Sequence, residues 1–251
     1  MSRFLDAPPP IAFAHRGFAP DGAENSMAAF ERAVRLGYRY LETDVRVTAD
    51  GVALAFHDAR LNRVTDRVGR VADLSWAEVQ RARIGGREPI PLLTDLLAAW
   101  PDTRINLDVK SDQGVGPVVD AIRHTGSVER VCVGAFSTGR IEAVRQALGP
   151  RLCTSLGPRA ALRLKLPRRS PGVILSRCCA QVPARVGARI FTDARYIAAA
   201  HAIGAPVHVW TVNEVAEMTR LLDMGVDGIM TDRADVLRDL LAARGQWPAR
   251  T

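Results

Sequence analysis

A predicted β-hairpin at residues 37–58 carries two carboxylates and a histidine. Glu42 and Asp44 are two residues apart on its first strand, and because side chains alternate along a strand, both carboxylates point to one face. Asp50-Gly51 predicts a tight turn, and alternating apolar residues then lead to His57. Two carboxylates side by side need a cation, so the hairpin indicates an ionic site.

A third carboxylate, Asp108, ends a later predicted strand. Together with Glu42 and Asp44 it gives three oxygen ligands, which suit a hard cation such as Mg²⁺ or Ca²⁺ that completes its shell with water and substrate oxygens. Zinc prefers nitrogen and sulfur ligands, and the sequence has no His-x-x-x-His or clustered cysteine spacing. The alternative is that these carboxylates pair with the abundant arginines.

Two cations near these carboxylates are candidates for phosphate binding. Lys110 falls on the same strand face as Asp108, in a chain with only two lysines among its 34 basic residues. Its ammonium is a compact point charge suited to a phosphate beside a metal, although it could instead pair with Asp108. Arg16 has the planar guanidinium that binds two phosphate oxygens at once.

Two histidines, His15 and His57, fall at the ends of predicted strands. Phosphodiester cleavage needs one group that takes a proton from the attacking oxygen and another that gives one to the leaving alkoxide, and a pair of imidazoles fits both roles. Either residue alone could be a buried core histidine. We therefore predict acid-base catalysis by the pair, and a structural role for His124, His201 and His208.

Eight short apolar runs alternate with amphipathic helical patterns, which predicts an α/β fold, a (β/α)8 TIM barrel spanning residues 1–251 as one domain. The carboxyl ends of its strands would bring the polar side chains to one mouth. The strands are predicted at 11–14, 40–45, 105–109, 131–136, 152–155, 173–175, 207–210 and 228–231. Helices are predicted at 26–36, 92–100, 116–124, 138–148, 193–203, 214–224 and 234–244.

Two stretches interrupt this alternation. Residues 59–91 contain a short helical pattern and a glycine-rich loop, and we interpret them as an insertion at the barrel mouth, after the second strand and its hairpin. Residues 159–169 contain five positive charges, which predict either a solvated helix face or a surface that contacts membranes transiently.

Composition limits the class of protein. The net charge of +7 favours anionic ligands, but the basic residues are dispersed and not interleaved with aromatics, which argues against nucleic-acid binding. No signal peptide or membrane-spanning run is present, and four cysteines without a Cys-x-x-Cys pair indicate reduced core residues. We therefore expect a cytoplasmic protein whose oligomeric state the sequence leaves open.

Taken together, these motifs resemble the glycerophosphodiester phosphodiesterase family. The matching segments run from the first strand to the last in the family's order: His15-Arg16-Gly17, Glu24-Asn25, Glu42-x-Asp44, His57-Asp58, Asp108-x-Lys110, residues 209–213 and residues 225–232. The resemblance implies a (β/α)8 barrel, one divalent cation (Mg²⁺ or Ca²⁺, with Mn²⁺ as a third option), and hydrolysis of small glycerophosphodiesters to glycerol 3-phosphate and an alcohol.

The resemblance also implies a role for individual residues. The family's metal ligands correspond to Glu42, Asp44 and Asp108, and its acid and base to His15 and His57. Phosphate contacts correspond to Arg16 and Lys110, Trp210 would wall the glycerol pocket, and Asn25 is expected near the phosphate or the metal. Two positions depart from the family pattern: Asp108 stands where Glu is usual, and Ala234 where Pro is common.

Two other functions are compatible with the same site. One is a lysophospholipase D-like phosphodiesterase that meets membrane lipids through residues 159–169. The other is a barrel that has lost catalysis and only binds phosphorylated ligands, against which stands the joint presence of the histidine pair, the carboxylates and Lys110. The headgroup, the native metal, and which histidine is the acid are not determined by the sequence.

Overall fold

In the computed structural model, which describes residues 3–166 and 177–248, eight parallel strands form a closed barrel. Each strand pairs with its neighbours in parallel, and the first pairs with both the second and the eighth, so the sheet closes on itself. The predicted (β/α)8 barrel is confirmed. The strands are β1 (Ile11–His15), β2 (Tyr40–Val47), β3 (Arg104–Val109), β4 (Val131–Gly134), β5 (Cys153–Ser155), β6 (Cys178–Pro183), β7 (Val207–Trp210) and β8 (Gly228–Thr231).

The sixth strand is where the sequence prediction was wrong. The apolar run Val173–Leu175, predicted as this strand, lies outside the described residues, and β6 instead occupies the place between β5 and β7. The run Cys178-Cys179-Ala180-Gln181 has weak strand propensity and includes a polar residue, so a pattern based on apolar residues does not detect it. Strand β4 is also shorter than predicted, and it leaves Phe136 beyond its end.

The helices follow the strands in the order expected of a barrel, and seven of the predicted helices are present within one or two residues of their bounds. Three begin at a side-chain cap: Ser26, Ser137 and Asp193 each accept a hydrogen bond from a backbone N–H in the first turn, an interaction typically worth about 1 kcal/mol. The helices are α1 (Met27–Arg35), α2 (Trp76–Val79), α3 (Leu93–Ala99), α4 (Val115–His124), α5 (Thr138–Leu148), α6 (Pro158–Arg163), α7 (Ala194–His201), α8 (Val215–Asp223) and α9 (Ala234–Ala243).

The predicted insertion is built of short elements. It follows the strand Ala53–Ala55, which pairs antiparallel with β2, and contains two 3₁₀ turns (Leu61–Arg63 and Val71–Asp73), α2 and a small hairpin of Arg83–Ile84 with Glu88–Pro89. Its apolar residues form a cluster of their own with Leu54 and Phe56 of the hairpin. This packing fixes the insertion to the hairpin that carries His57.

The amino-terminal end of the barrel is closed by aromatic side chains. Phe4, from a 3₁₀ turn at Arg3–Leu5, packs against Phe13 of β1 and Tyr40 of β2, with ring centroids 6.2 and 5.3 Å apart. The hydroxyl of Tyr40 donates a 2.7 Å hydrogen bond to the carbonyl oxygen of Phe4. The cavity of the barrel can therefore open only at the carboxyl ends of the strands. In the described ranges, none of the helices has the length and apolar character needed to cross a bilayer.

Candidate active site

A cavity of about 550 Å³ opens at the carboxyl-terminal mouth of the barrel. Eight of the nine side chains predicted as site residues line it, and the ninth, Asn25, is buried behind Asp44. The structure therefore brings together groups that are up to 195 residues apart in the chain. The eight are His15, Arg16, Glu42, Asp44, His57, Asp108, Lys110 and Trp210.

The turn after β1 directs His15 and Arg16 into this mouth. Arg16 and Gly17 both have left-handed backbone conformations, with φ of +56° and +82°. A Cβ on Gly17 would lie 2.6 Å from the carbonyl carbon of Ala29 in α1, so only glycine fits here. The backbone N–H of Arg16 donates to the carbonyl oxygen of Glu42 at 3.0 Å, which ties the turn to β2.

His15 is held by carboxylates on both sides of its ring. Its Nδ1 lies 2.6 Å from Oδ1 of Asp232, and its Nε2 lies 3.7 Å from Oε2 of Glu42. Burial lowers the pKa of His15, but the two carboxylates outweigh burial, so its pKa is raised above the ordinary value. Asp232 is positioned in turn by Asn213, whose amide donates to it at 2.8 Å.

His57, which follows the second strand of the hairpin, has an equivalent arrangement. Its Nδ1 lies 2.6 Å from Oδ1 of Asp58. Arg63, from the insertion, donates to both oxygens of Asp58 at 2.6 and 2.9 Å and also to Glu24 at 2.6 Å. The guanidinium holds the pKa of Asp58 at about 2, so this carboxylate is ionised at any physiological pH. In both histidines Nδ1 is engaged, which leaves Nε2 to exchange protons.

The three predicted metal ligands lie on neighbouring strands. Asp44 of β2 is directly opposite Asp108 of β3 in the register of the sheet. Burial and the nearby charges of Asp44 and Asp108 raise the pKa of Glu42 to about 7, although His15 opposes this shift. Burial also raises the pKa of Asp108, whose buried Oδ1 has no hydrogen-bond partner among the described residues. In Glu42 and Asp108, unlike Asp44, burial outweighs the stabilisation that nearby cations give to the ionised carboxylate.

Lys110 bridges two of these carboxylates. Its Nζ lies 2.7 Å from Oδ1 of Asp44 and 2.5 Å from Oδ2 of Asp108, and Nε of Arg16 lies 3.0 Å from Asp44. Burial raises the pKa of Asp44, but Lys110 and Arg16 outweigh it, and the pKa of Asp44 is lowered. The pairing that the sequence left as an alternative is therefore present. Within the described ranges, oxygens of Glu42, Asp44 and Asp108 do not all approach within 4.8 Å of one another.

The chemistry of these donors suits a divalent cation, although Lys110 now lies between Asp44 and Asp108. The orphaned oxygen of Asp108 and the raised pKa of Glu42 both indicate missing positive charge, and carboxylate oxygens are the donors that hard cations prefer. Asn25 supports the set from behind: its amide contacts Oδ2 of Asp44 at 3.3 Å, and its own oxygen accepts a 2.7 Å hydrogen bond from Thr43. Asn25 is fully buried with φ of +55°, a strained conformation of the kind found at functional sites.

The other side of the mouth is apolar. The ring of Trp210 meets that of Phe136 edge-on, with centroids 5.6 Å apart. Leu162 of α6, Val186 and Phe191 continue this wall along the cavity. Phe136, Leu162 and Val186 are 59–68% exposed, which is unusual for large apolar side chains. We call Phe136, Leu162, Val186 and Phe191 the apolar wall.

Comparison with known proteins identifies the family. The model of the glycerophosphoryl diester phosphodiesterase family matches residues 15–236. The chain belongs to this family. It is 44% identical, over 94% of its length and 92% of the relative's, to the Mycobacterium tuberculosis protein named probable glycerophosphodiester phosphodiesterase 2. It is also 30% identical to a lysophospholipase D of Mus musculus, over 90% of this chain and 84% of that protein. The chain is accordingly a glycerophosphodiester phosphodiesterase by family.

Solved structures share its fold. A structure from Silicibacter pomeroyi superposes with a TM-score of 0.81 at 23% identity, covering 99% of this chain and 100% of that one. An Oleispira antarctica phosphodiesterase, solved in complex with sn-glycerol-3-phosphate, has a TM-score of 0.78 at 20% identity, covering 93% and 97% of the two chains.

The predicted site residues of this phosphodiesterase do not include those that orient the two histidines. Asp232 and Asp58 lie in motifs shared with the family, but the sequence assigns neither of them a role. Their positions after strands were the available signal for both carboxylates. Arg63 gave no signal, because its contacts with Asp58 and Glu24 depend on how the insertion folds over the hairpin.

Proposed function

We propose that this member of the glycerophosphoryl diester phosphodiesterase family hydrolyses glycerophosphodiesters to glycerol 3-phosphate and an alcohol, using one divalent cation and His15 and His57 as acid and base. The observation that carries the proposal is the pair of histidines, each oriented at Nδ1 by an aspartate and both facing one cavity with three carboxylates. The Oleispira antarctica relative, solved with glycerol 3-phosphate, supports the product.

Enzymes of this family generally depend on a divalent metal. Here Glu42, Asp44 and Asp108 would hold the ion, with Mg²⁺, Ca²⁺ and Mn²⁺ as candidates. When bound, it would neutralise charge on the phosphodiester and so favour attack at phosphorus. Asp108, which is shorter than the family's usual Glu, makes this position the one most expected to influence which ion is preferred.

The chain's own residues supply the remaining chemistry. The ammonium of Lys110, at the edge of the carboxylates, and the guanidinium of Arg16 offer donors to the phosphate oxygens and stabilise the charge that develops on them. One histidine accepts the proton of the attacking oxygen, which belongs to water or to a glycerol hydroxyl. The other protonates the leaving alkoxide. Trp210 walls the cavity where the glycerol moiety would lie.

The proposal is tested by measuring release of glycerol 3-phosphate. Protein treated with a chelator should be inactive on glycerophosphocholine, glycerophosphoethanolamine and glycerophosphoglycerol, and Mg²⁺, Ca²⁺ or Mn²⁺ should restore turnover. Ethanolamine or choline appearing in equal amount would confirm the bond that is cleaved. Activity that survives complete chelation would contradict the proposed metal dependence. If no diester gave glycerol 3-phosphate with any of the ions, the proposed substrate class would be wrong.

A second candidate is a lysophospholipase D-like activity on lipids that carry an acyl chain, and the apolar wall favours it. A small water-soluble diester does not need exposed Phe136, Leu162 and Val186 beside its phosphate. A relative 30% identical to this chain is named as a lysophospholipase D. In the predicted basic patch, Arg159 and Arg163 are exposed, Lys165 pairs with Asp193 at 2.7 Å, and Arg168 and Arg169 lie outside the described residues.

Replacing apolar-wall residues separates the two candidates. For a lysophospholipid substrate, Leu162→Ser and Val186→Ser should raise KM roughly 10-fold, because each removes apolar surface that the acyl chain would cover. Hydrolysis of glycerophosphocholine should change little. Val68→Ser is the matched control, since Val68 is 77% exposed but does not line the cavity. Equal effects on the two substrates would contradict an acyl-chain site.

A further inference from the structure

Three cysteines meet inside the barrel, on the side of the active site away from the mouth. Cys132 of β4, Cys153 of β5 and Cys179 of β6 come from consecutive strands, and each is completely buried. Their sulfur atoms all lie within 4.8 Å of one another, and those of Cys132 and Cys179 are 3.7 Å apart. None is in a disulfide. The sequence did not indicate this cluster, because the three residues are 21 to 47 positions apart.

A buried histidine lies beside this cluster. His208 of β7, the strand next to β6, is completely buried, and neither of its ring nitrogens has a hydrogen-bond partner among the described residues. Its ring packs against Phe13, with centroids 4.9 Å apart, and Phe13 belongs to the same core cluster as the three cysteines. Gly228 of β8 makes room for the ring, since a Cβ there would lie 2.9 Å from Cδ2 of His208.

An imidazole without partners is not explained by packing alone. Buried polar groups are almost always hydrogen-bonded, and each exception calls for a bound group or a function. His208 would be expected to find a carbonyl or hydroxyl partner if it were only a core residue. Among the described residues its nitrogens are not within 4.8 Å of all three sulfurs, so a shift of the ring would bring one of them to the point that the sulfurs surround.

We propose that Cys132, Cys153, Cys179 and His208 form a second metal site, a buried Cys₃His site for Zn²⁺. Three thiolates and one imidazole are a ligand set that zinc takes in structural sites. With Zn–S bonds of about 2.3 Å, tetrahedral geometry sets neighbouring sulfurs roughly 3.8 Å apart, close to the separation of Cys132 and Cys179. Soft sulfur ligands distinguish this site from the carboxylates at the mouth, which suit a hard cation.

The surroundings suit a closed structural site. The amide nitrogen of Gln181 contacts the sulfur of Cys132 at 3.8 Å and donates to Asn106 at 2.7 Å, so it separates the cluster from the polar cavity above. Phe4, Phe13 and Tyr40 cover the other side. The ion would join four consecutive strands, β4 to β7, and so stabilise the half of the barrel that lies opposite the carboxylates.

Cys178 provides a matched control for substitutions in the cluster. It precedes Cys179 in the chain and is equally buried, but it lies on the other face of β6, where its sulfur accepts a hydrogen bond from Arg145. Cys178→Ser thus repeats the chemical change of Cys153→Ser or Cys179→Ser outside the site. Cys178 is also no part of the catalytic machinery.

The test uses Co²⁺ as a spectroscopic substitute for zinc. The full chain is produced in minimal medium with Co²⁺ in place of Zn²⁺, so that the ion is available during folding. It is then washed with a chelator to empty the carboxylate site at the mouth of the barrel. Wild-type protein and Cys178→Ser should retain about one cobalt per chain and show thiolate-to-cobalt charge-transfer absorption in the near ultraviolet. In Cys153→Ser, Cys179→Ser and His208→Gln, retained cobalt should fall roughly 10-fold or more.

The cobalt content and absorption of the wild-type protein test the proposal even if a variant fails to fold. Far-ultraviolet circular dichroism verifies that the wild type is folded. If it retains less than a tenth of an equivalent of cobalt and shows no charge-transfer band, the proposal is wrong. A band of unchanged intensity in Cys153→Ser and Cys179→Ser would equally overturn it, as would a disulfide in this cluster detected by mass spectrometry of unreduced protein. The charge-transfer band reports sulfur ligands only, so its outcome is independent of the carboxylate site.

Discussion

At the scale of single residues, the two aspartates on the histidines determine which nitrogen can take part in chemistry. Because Asp232 and Asp58 accept from Nδ1, each ring must present Nε2 to the cavity. The sequence located both histidines, since a residue following an apolar run can be placed at a strand end. It could not assign their partners, because Asp232 is 217 residues from His15 and only closure of the barrel brings the two together.

The histidine pair leads to a first prediction. His15→Ala and His57→Ala should each lower kcat/KM for glycerol 3-phosphate release roughly 10²- to 10⁴-fold, since each removes a proton-transfer group. The midpoint temperature of thermal unfolding, followed by circular dichroism, should change by only a few degrees, because both side chains line the cavity and are not part of the core. His124→Ala is the control and should keep full activity. If both site variants retained wild-type turnover, the acid-base assignment would fail.

The aspartates lead to a second prediction. Asp58→Asn and Asp232→Asn preserve the shape of the side chain but can donate to Nδ1, which favours the tautomer with the proton on Nε2. We expect kcat to fall roughly 10- to 100-fold with little change in KM, less than for a fully buried partner because Asp232 is half exposed. Asp239→Asn, on the exposed face of α9, is the control. A change in KM alone would indicate that these carboxylates contact substrate instead.

The positions of the three carboxylates could be predicted from the sequence, but their ion pairs with Lys110 could not. Alternation along β2 correctly placed Glu42 and Asp44 on one face, and strand order placed Asp108 beside them. Whether Lys110 faces a phosphate or pairs with these groups depends on distances of a few ångströms, and in this structure it bridges Asp44 and Asp108. Periodicity fixes the side of a strand but not the conformation of a long side chain.

At the scale of elements, the turn after β1 depends on one glycine. Gly17 and Gly22 have nearly the same backbone conformation, with φ of +82° and +79°, but only Gly17 is enclosed. Gly22→Ala should cost about 1 kcal/mol of unfolding free energy for its left-handed backbone. Gly17→Ala should cost roughly 2 to 4 kcal/mol, because its Cβ would also collide with the backbone of α1. Activity should fall as well, since Arg16 and His15 would shift.

Urea unfolding of the two glycine variants measures this difference directly. Both substitutions add the same atoms and the same change in unfolded-state entropy, so the gap between them isolates the steric contact with Ala29. Equal free energies of unfolding would show that α1 moves away without cost and that the tight packing of the turn has no energetic role.

Elements were predictable where their patterns were periodic. Helices with caps and apolar stripes, such as α1 and α5, were located within a residue or two, because both signals are local. Strand β6 was missed because its inward-facing residues include Cys179 and Gln181, where a barrel strand more often carries branched apolar residues. Strands that contribute polar side chains to a site are therefore the ones that hydrophobic patterns locate least well.

At the scale of the whole molecule, the barrel separates two chemical environments. Aromatic side chains and sulfur atoms fill its amino-terminal half, and carboxylates and cations fill the mouth. The sequence predicted the mouth because it lies at the carboxyl ends of the strands in any such barrel. It gave no sign of how charges balance there, which depends on burial and on distances between strands that are far apart in the chain.

That balance leads to a last prediction, on the pH dependence of stability without metal. The pKa of Glu42 is raised from its ordinary value of 4.5 to about 7. Protonated Glu42 therefore stabilises the fold fully below about pH 4.5, and this contribution is lost as pH rises through 7. In chelator-treated protein, Glu42→Gln should be more stable than wild type by about 2 to 3 kcal/mol at pH 8, and this difference should become smaller towards pH 5.

Added Mg²⁺ or Ca²⁺ should stabilise the wild type more than the variant at pH 8, because the ion supplies the positive charge that the ionised carboxylate lacks. Thermal melts of both proteins at pH 5 and pH 8, with and without the ion, measure the difference in stability and its dependence on pH and on the metal. A gap that did not change with pH would mean that Glu42 is not titrating in this range, and that its charge is already offset within the protein.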